Sequence, residues 1–161
     1  GISHLNLPVS ILSSGDSVAG NDLQIRFLKA DTHTASGLSD NEASVAALLE
    51  YRNRRICLPG DLEGHGQILL LPSLPPCDVL MSPHHGSPKS NVPNLAAAVD
   101  PAYVIVSARN DHSKNHLASV YRFASLFYTD SSGCITVHVS PDGTLDVEPF
   151  RKDPAEDRSS P

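Results

Sequence analysis

Apolar residues occur in short runs divided by polar clusters rich in proline and glycine. That spacing predicts strands with a few short helices. Residues 9–12 (VSIL) read as a short strand ended by Ser13-Ser14-Gly15-Asp16. In residues 22–28, Leu23, Ile25 and Phe27 alternate with Gln24 and Arg26, the period of a half-buried strand. Residues 29–42 show no period and read as a long surface loop. Residues 43–51 and 54–58 suit the arms of a hairpin over Arg52-Asn53, although AALLE is also a good helix former. A short helix follows at 64–71, ended by Pro72, with PSLPP as a rigid link into a strand at 77–82. Ser90 or Asn91 is placed to cap a helix that runs to Val99, with Pro93 in its first turn and Asp100-Pro101 at its end. Residues 102–108 form a continuous β-branched run, hence a buried strand. Leu117, Val120, Tyr121, Ala124 and Phe127 fall at helical spacing and predict an amphipathic helix over 117–127. A short strand is expected at 128–130. A hairpin joins 134–139 to 144–150 over Ser140-Pro141-Asp142-Gly143. The expected organisation is one domain over 1–150 and a disordered tail over 151–161, which has no apolar face.

Composition narrows the reading. At 161 residues, 40% hydrophobic and with 13 prolines, the chain is long enough to bury one core and is rich in loops. No apolar run approaches the roughly 20 residues that cross a bilayer, and the start has no basic, apolar leader, so a soluble domain is expected. The net charge of −6 opposes a nucleic-acid platform unless bound cations supply the positive field. Arg52, Arg54 and Arg55, the one dense basic cluster, read as a solvated hairpin turn. Cys57, Cys77 and Cys134 lack metal-site spacing and lie in apolar strands, so they read as small core residues.

The candidate chemistry lies in residues 54–87. The strand RICL runs into Pro59-Gly60-Asp61-Leu62-Glu63, and the strand CDVLMS runs into His84-His85-Gly86-Ser87 by way of Pro83. One Gly-Asp turn or one His-His loop is ordinary surface punctuation. Two such clusters, each closing a buried strand, hold carboxylate and imidazole groups on a rigid scaffold, as ligands for a divalent metal are held. His33 in its loop, His65 at a helix start and His138 in a strand read as solvated side chains.

Three strands thus end in polar clusters: GDLE at 60–63, HHGS at 84–87 and SARNDHSKNH at 107–116, with SDNEAS at 39–44 ahead of them. In that order they resemble the C-terminal half of the metallo-β-lactamase-fold hydrolase domain of ComEC-type proteins, which internalise DNA in bacterial competence. The resemblance covers residues 9–150. It implies an α/β (α+β) fold: the C-terminal half of an αβ/βα sandwich, a mixed sheet with helices on one face. It also implies divalent ions, zinc or else manganese, at the sheet edge. Asp61 would bridge two ions and His85 would be a terminal ligand. Glu63 and His84 would face substrate, Ser87 would hold a phosphate oxygen, and His116, or else His112, would stand at the rim. Neighbours along an extended segment point apart, so His84 and His85 are expected to have separate tasks.

The implied reaction is metal-assisted hydrolysis of a phosphodiester such as single-stranded DNA. The family's first motif, HxHxDH, supplies most ligands and belongs upstream of Gly1. Neither His4 nor His33 provides it. The chain is therefore expected to be either part of a longer inner-membrane protein, partnered by the upstream half of that chain and inactive without it, or a half-domain that has lost catalysis. It is also expected to self-associate through an exposed sheet face. Two other readings remain: a non-catalytic structural or gating domain of a membrane DNA-uptake protein, and a β-rich binding module with incidental histidines.

Overall fold

The computed structural model describes residues 11, 13–30, 37–108 and 113–151. The strands are β1 (Ser17–Gly20), β2 (Leu23–Leu28), β3 (Ala46–Tyr51), β4 (Arg54–Leu58), β5 (Val79–Met81), β6 (Tyr103–Val106), β7 (Ser125–Tyr128), β8 (Ile135–Val139) and β9 (Leu145–Pro149). The helices are α1 (Gly64–Leu70), α2 (Pro93–Val99), α3 (Lys114–Val120) and the single turn α4 (Thr129–Ser132). Strands β1 to β7 form one sheet in sequence order, and β8 pairs with β9 separately. Pairing is antiparallel from β1 to β4 and parallel from β4 to β7.

Residues 46–51 are a strand despite their helix propensity because of the turn that follows. Arg52 and Asn53 both have positive φ, 50° and 63°, the twist that joins a two-residue hairpin. The alternation then puts Ala46 and Leu48 in the core. Beyond β4 each parallel step needs a crossover, and α1, α2 and α3 supply the three.

The register aligns Leu48, Cys57, Leu80, Val104 and Leu126 across five strands on one face. Leu70, Leu95, Val99, Leu117 and Tyr121 of the helical segments join them in a single core. The helices therefore cover one face of a mixed sheet, as expected. The opposite face carries Ile25, Leu49, Ile56 and Val79 in one row. Val79 and Ile105 are buried there, outside the main core. The β8–β9 turn is tied to the sheet by Arg54, whose Nε donates to the Gly143 carbonyl at 2.7 Å.

Several expectations are corrected. The helix predicted over 117–127 stops at Val120, and Ser125–Tyr128 is a strand. Leu117, Val120, Tyr121 and Ala124 do pack on the core, but Phe127 pairs with Ile105 in the parallel ladder instead. The helical spacing ran by coincidence across the turn at 121–124. Helix α1 does stop just ahead of Pro72, at Leu70, and Pro72 then sits in a 3-10 turn, Leu71–Ser73, that follows it. Cys57 and Cys77 are buried, whereas Cys134 is exposed just before β8. The three arginines are ion-paired rather than merely solvated: Arg52 with Asp22 at 2.8 Å, Arg54 with Asp78 at 2.8 Å and Arg55 with Glu50 at 3.4 Å. The strand predicted at 9–12 and the tail beyond Arg151 lie outside the described residues, apart from the exposed Ile11. Among the described residues no helix is long and apolar enough to cross a membrane.

Candidate metal centre

Three parallel strands, β4, β5 and β6, end side by side, and Asp61, Glu63, His84, His85 and Ser87 sit in the segments that leave β4 and β5. Gly60, at φ 62°, turns the chain out of β4, and its carbonyl accepts the His84 amide at 3.0 Å. That bond brings GDLE and HHGS together.

His84, His85 and Gly86 are three consecutive residues at positive φ, 47°, 52° and 83°. The segment is a left-handed turn, not the extended stretch expected from sequence. For a residue with a Cβ this conformation costs about 1–2 kcal/mol, so surrounding contacts must hold it. Gly86 is needed for a second reason: a Cβ there would stand 2.8 Å from Val106 Cγ1.

The turn still sends the two imidazoles to different partners. His84 Nδ1 lies 3.0 Å from Glu63 Oε2, and the other oxygen of Glu63 accepts from Asn41 Nδ2 at 3.1 Å. The bond from Asn41, then that from His84, holds the Glu63 carboxyl below its usual pKa. His85 Nδ1 lies 3.1 Å from the Ser107 carbonyl, beyond the end of β6. A carbonyl only accepts, so Nδ1 carries a proton, and in the neutral ring Nε2 presents its lone pair. That lone-pair nitrogen is 3.9 Å from Asp61 Oδ1.

This donor pair fits one edge of a metal site. A nitrogen and an oxygen ligand of tetrahedral zinc stand roughly 3.4 Å apart, and a carbonyl on the distal nitrogen is how ligating histidines are oriented. Both side chains reach solvent, with His85 67% and Asp61 48% exposed. The pair is not a whole site, because among the described residues no three His, Cys, Asp or Glu side chains converge for an ion.

The remaining predicted residues are placed as follows. The Ser87 amide closes the loop on the His84 carbonyl at 2.9 Å, while the Ser87 carbonyl accepts from Ser90 and Asn91. His116 lies on α3, and its Nε2 is 2.7 Å from the Asn91 carbonyl, which fixes Nε2–H as donor. His33 and His112 are outside the described residues. His65 and His138 are exposed, as expected.

Sequence reasoning missed the supports. Asn91, expected as a helix cap, does not cap α2; its side chain turns inward beneath the His84-His85 turn. Gln67 of α1 is buried and donates to the Ser90 carbonyl at 2.7 Å, bracing α1 against the same loop. Glu42 receives the His65 amide at 2.8 Å, which docks the 39–44 loop on α1 and delivers Asn41 to Glu63. The SDNEAS stretch stood out in the sequence, but nothing local marked which of its polar residues pointed inward.

Fold and site together define a mixed α/β protein with carboxylate and imidazole side chains on loops at the C-terminal ends of its parallel strands. Its fold is that of a Parabacteroides distasonis protein provisionally described as a metal-dependent hydrolase. The TM-score is 0.56 at 13% identity, over 80% of this chain and 60% of that one. At that identity the likeness shows the fold alone. A provisionally described zinc-dependent hydrolase of the metallo-β-lactamase superfamily from Thermotoga maritima aligns over 70% of this chain and 57% of its own, with 16% identity. Its TM-score of 0.43 carries no argument. The chain thus spans about three-fifths of the length of the solved structures it resembles. No family model matches the chain, and no curated protein matches it.

Proposed function

We propose that this chain supplies one half of the active site of a metal-dependent phosphoester hydrolase of metallo-β-lactamase type. Asp61 and His85 would hold the ion. One observation carries the reading: Ser107 fixes His85 in the tautomer that aims Nε2 at Asp61, 3.9 Å away, where three parallel strands end. A bound divalent ion in such a site acidifies water and stabilises developing negative charge. Beside it, the Glu63–His84 pair can orient a phosphate oxygen or exchange a proton with a leaving group, since Asn41 keeps Glu63 ionised as His84's partner. In this reading Ser87 would hold a phosphate oxygen and His116 would stand at the rim.

The finer reading is a ComEC-type domain acting on a DNA strand. It rests on the order of GDLE, HHGS and the final His-bearing segment. The upstream half of a parent chain would provide the missing ligands, and without it the half-site would be inactive. A competing reading, a structural or gating domain with no catalysis, is favoured by the absence of a third convergent ligand among the described residues.

Zinc titration calorimetry on this chain, then on its Asp61→Ala and His85→Ala variants, separates the two readings. A weak site is expected in the wild type, with affinity at least tenfold lower in each variant. Equal zinc binding in all three would remove the ligand assignment.

A further inference from the structure

We infer that Asn91 is the positioning residue of the site: its buried carboxamide clamps the left-handed His84-His85 turn and so sets the direction of both imidazoles. Every polar atom of this residue is engaged. Nδ2 donates to the Pro83 carbonyl at 3.1 Å and to the Ser87 carbonyl at 2.8 Å. These two carbonyls bracket His84-His85-Gly86, so one NH2 group ties the entry of the turn to its exit. Oδ1 accepts from the Ser82 hydroxyl at 2.8 Å and from the Tyr121 hydroxyl at 2.9 Å. The backbone carbonyl takes the His116 ring at 2.7 Å, and the backbone amide goes to Ser87 at 3.0 Å. The side chain uses both donors and accepts twice, the full capacity of an amide. Two hydroxyls on one end and two carbonyls on the other leave only one consistent amide orientation.

Position supports the assignment. Asn91, Ser82, Ser90 and Gln67 are the buried polar residues among those described, and all four lie under or against this turn. The Ser90 hydroxyl has no hydrogen-bond partner there, whereas the Asn91 carboxamide is fully paired, and a buried polar group with all its partners met enforces one geometry. The turn needs such enforcement because two residues with side chains lie in the left-handed region. Through His116 of α3 and Tyr121 at its C-cap the clamp also keys that helix to the turn. The role makes Asn91 a support rather than a participant, since it is fully buried.

The link to metal binding rests on the proposed function above, whereas the clamp itself does not, and the test keeps them apart. Long-range 15N–1H correlation spectra of the 161-residue chain at fixed pH report which nitrogen of His85 carries the proton. The wild type is expected as the Nδ1–H form. Asn91→Asp keeps the size but replaces two donors with an acceptor. It is expected to release the turn, convert His85 to a mixture of tautomers and lower zinc affinity 10- to 100-fold. Val99→Ala, a core truncation in α2, should destabilise the fold yet leave the tautomer unchanged. A folded Asn91→Asp variant with His85 still purely Nδ1–H would overturn the inference. If the tautomer is lost while the wild type binds no zinc, the clamp stands and the metal-site reading falls. Should Asn91→Asp not fold, Ser82→Ala and Tyr121→Phe remove the donors to Oδ1 one at a time. Exchange of the Ser87 amide is then expected to speed up at least tenfold, and an unchanged rate would refute the clamp.

Discussion

Gly66→Ala sets two physical effects against each other, and the structure says which one wins. Gly66 lies inside α1, where alanine is favoured over glycine by about 1 kcal/mol. Propensity alone therefore predicts a more stable protein. A Cβ on Gly66, however, would fall on the Glu42 carbonyl, with that residue's carbonyl carbon at 2.6 Å and its Cα at 2.9 Å. These are backbone atoms and have no rotamer to change. The 39–44 loop must therefore lift off α1, which breaks the bond from the His65 amide to the Glu42 carboxylate, 2.8 Å in the wild type. Loss of this solvent-exposed bond adds only modestly to the cost, because water screens it. Forced overpacking adds about 1–3 kcal/mol. The expected net effect is a loss of about 1–2 kcal/mol, or a fall of roughly 2–8 °C in Tm for a chain of this size. Thermal unfolding followed by circular dichroism measures it. Gly20→Ala, whose added Cβ meets open space, is the control and should stay within about 0.5 kcal/mol of wild type. A Gly66→Ala variant that melts at or above the wild-type temperature would show that the loop does not dock on α1 as described.

Gly86→Ala should cost about 2–4 kcal/mol in chemical denaturation, combining a left-handed backbone with crowding against Val106 and Leu117; a neutral result would contradict the His84-His85-Gly86 geometry. Asn41→Ala removes the first cause of Glu63's lowered pKa, so the Glu63 carboxyl should titrate at higher pH in a carbon-detected NMR titration. Because the folded pKa lies below the ordinary value of 4.5, the stabilisation from Glu63 is full above that value and fades as pH falls through the lower one. Acid should therefore loosen the Asn41–Glu63–His84 chain in the wild type, and an unshifted titration in Asn41→Ala would deny Asn41 its role.

The strand ends could be read from the chain because a buried strand and a polar loop differ so sharply in composition. RICL before GDLE and VLM before the His-His segment needed no tertiary information. The supports could not be read, since each is defined by a partner far along the chain. Asn91 beside Pro93 carries the local signal of a helix cap, and only Ser82, Tyr121 and His116 arriving from elsewhere turn it inward. Gly66 looks like a weak point in a helix until Glu42 is seen against it. Phe127 fits a helical stripe and a strand equally well, and the parallel ladder to Ile105 decided for the strand. The left-handed His84-His85 turn was hidden for a related reason: histidine has no strong preference for that conformation, and the clamp imposes it.

Strand β4 is bonded antiparallel on one side and parallel on the other, and this gives the polypeptide two regimes of self-assembly. The β1–β2 and β3–β4 hairpins close through two-residue turns, an event of about 1–10 μs. The parallel strands past Leu58, β5 to β7, wait for longer crossover excursions, which pair slowly. Asp61 leaves the chain at that divide, so the ligand edge is completed only in the later phase. Pulse-labelled hydrogen exchange should show β3 amides protected ahead of those in β5 and β6, and simultaneous protection would argue against such a sequence of events.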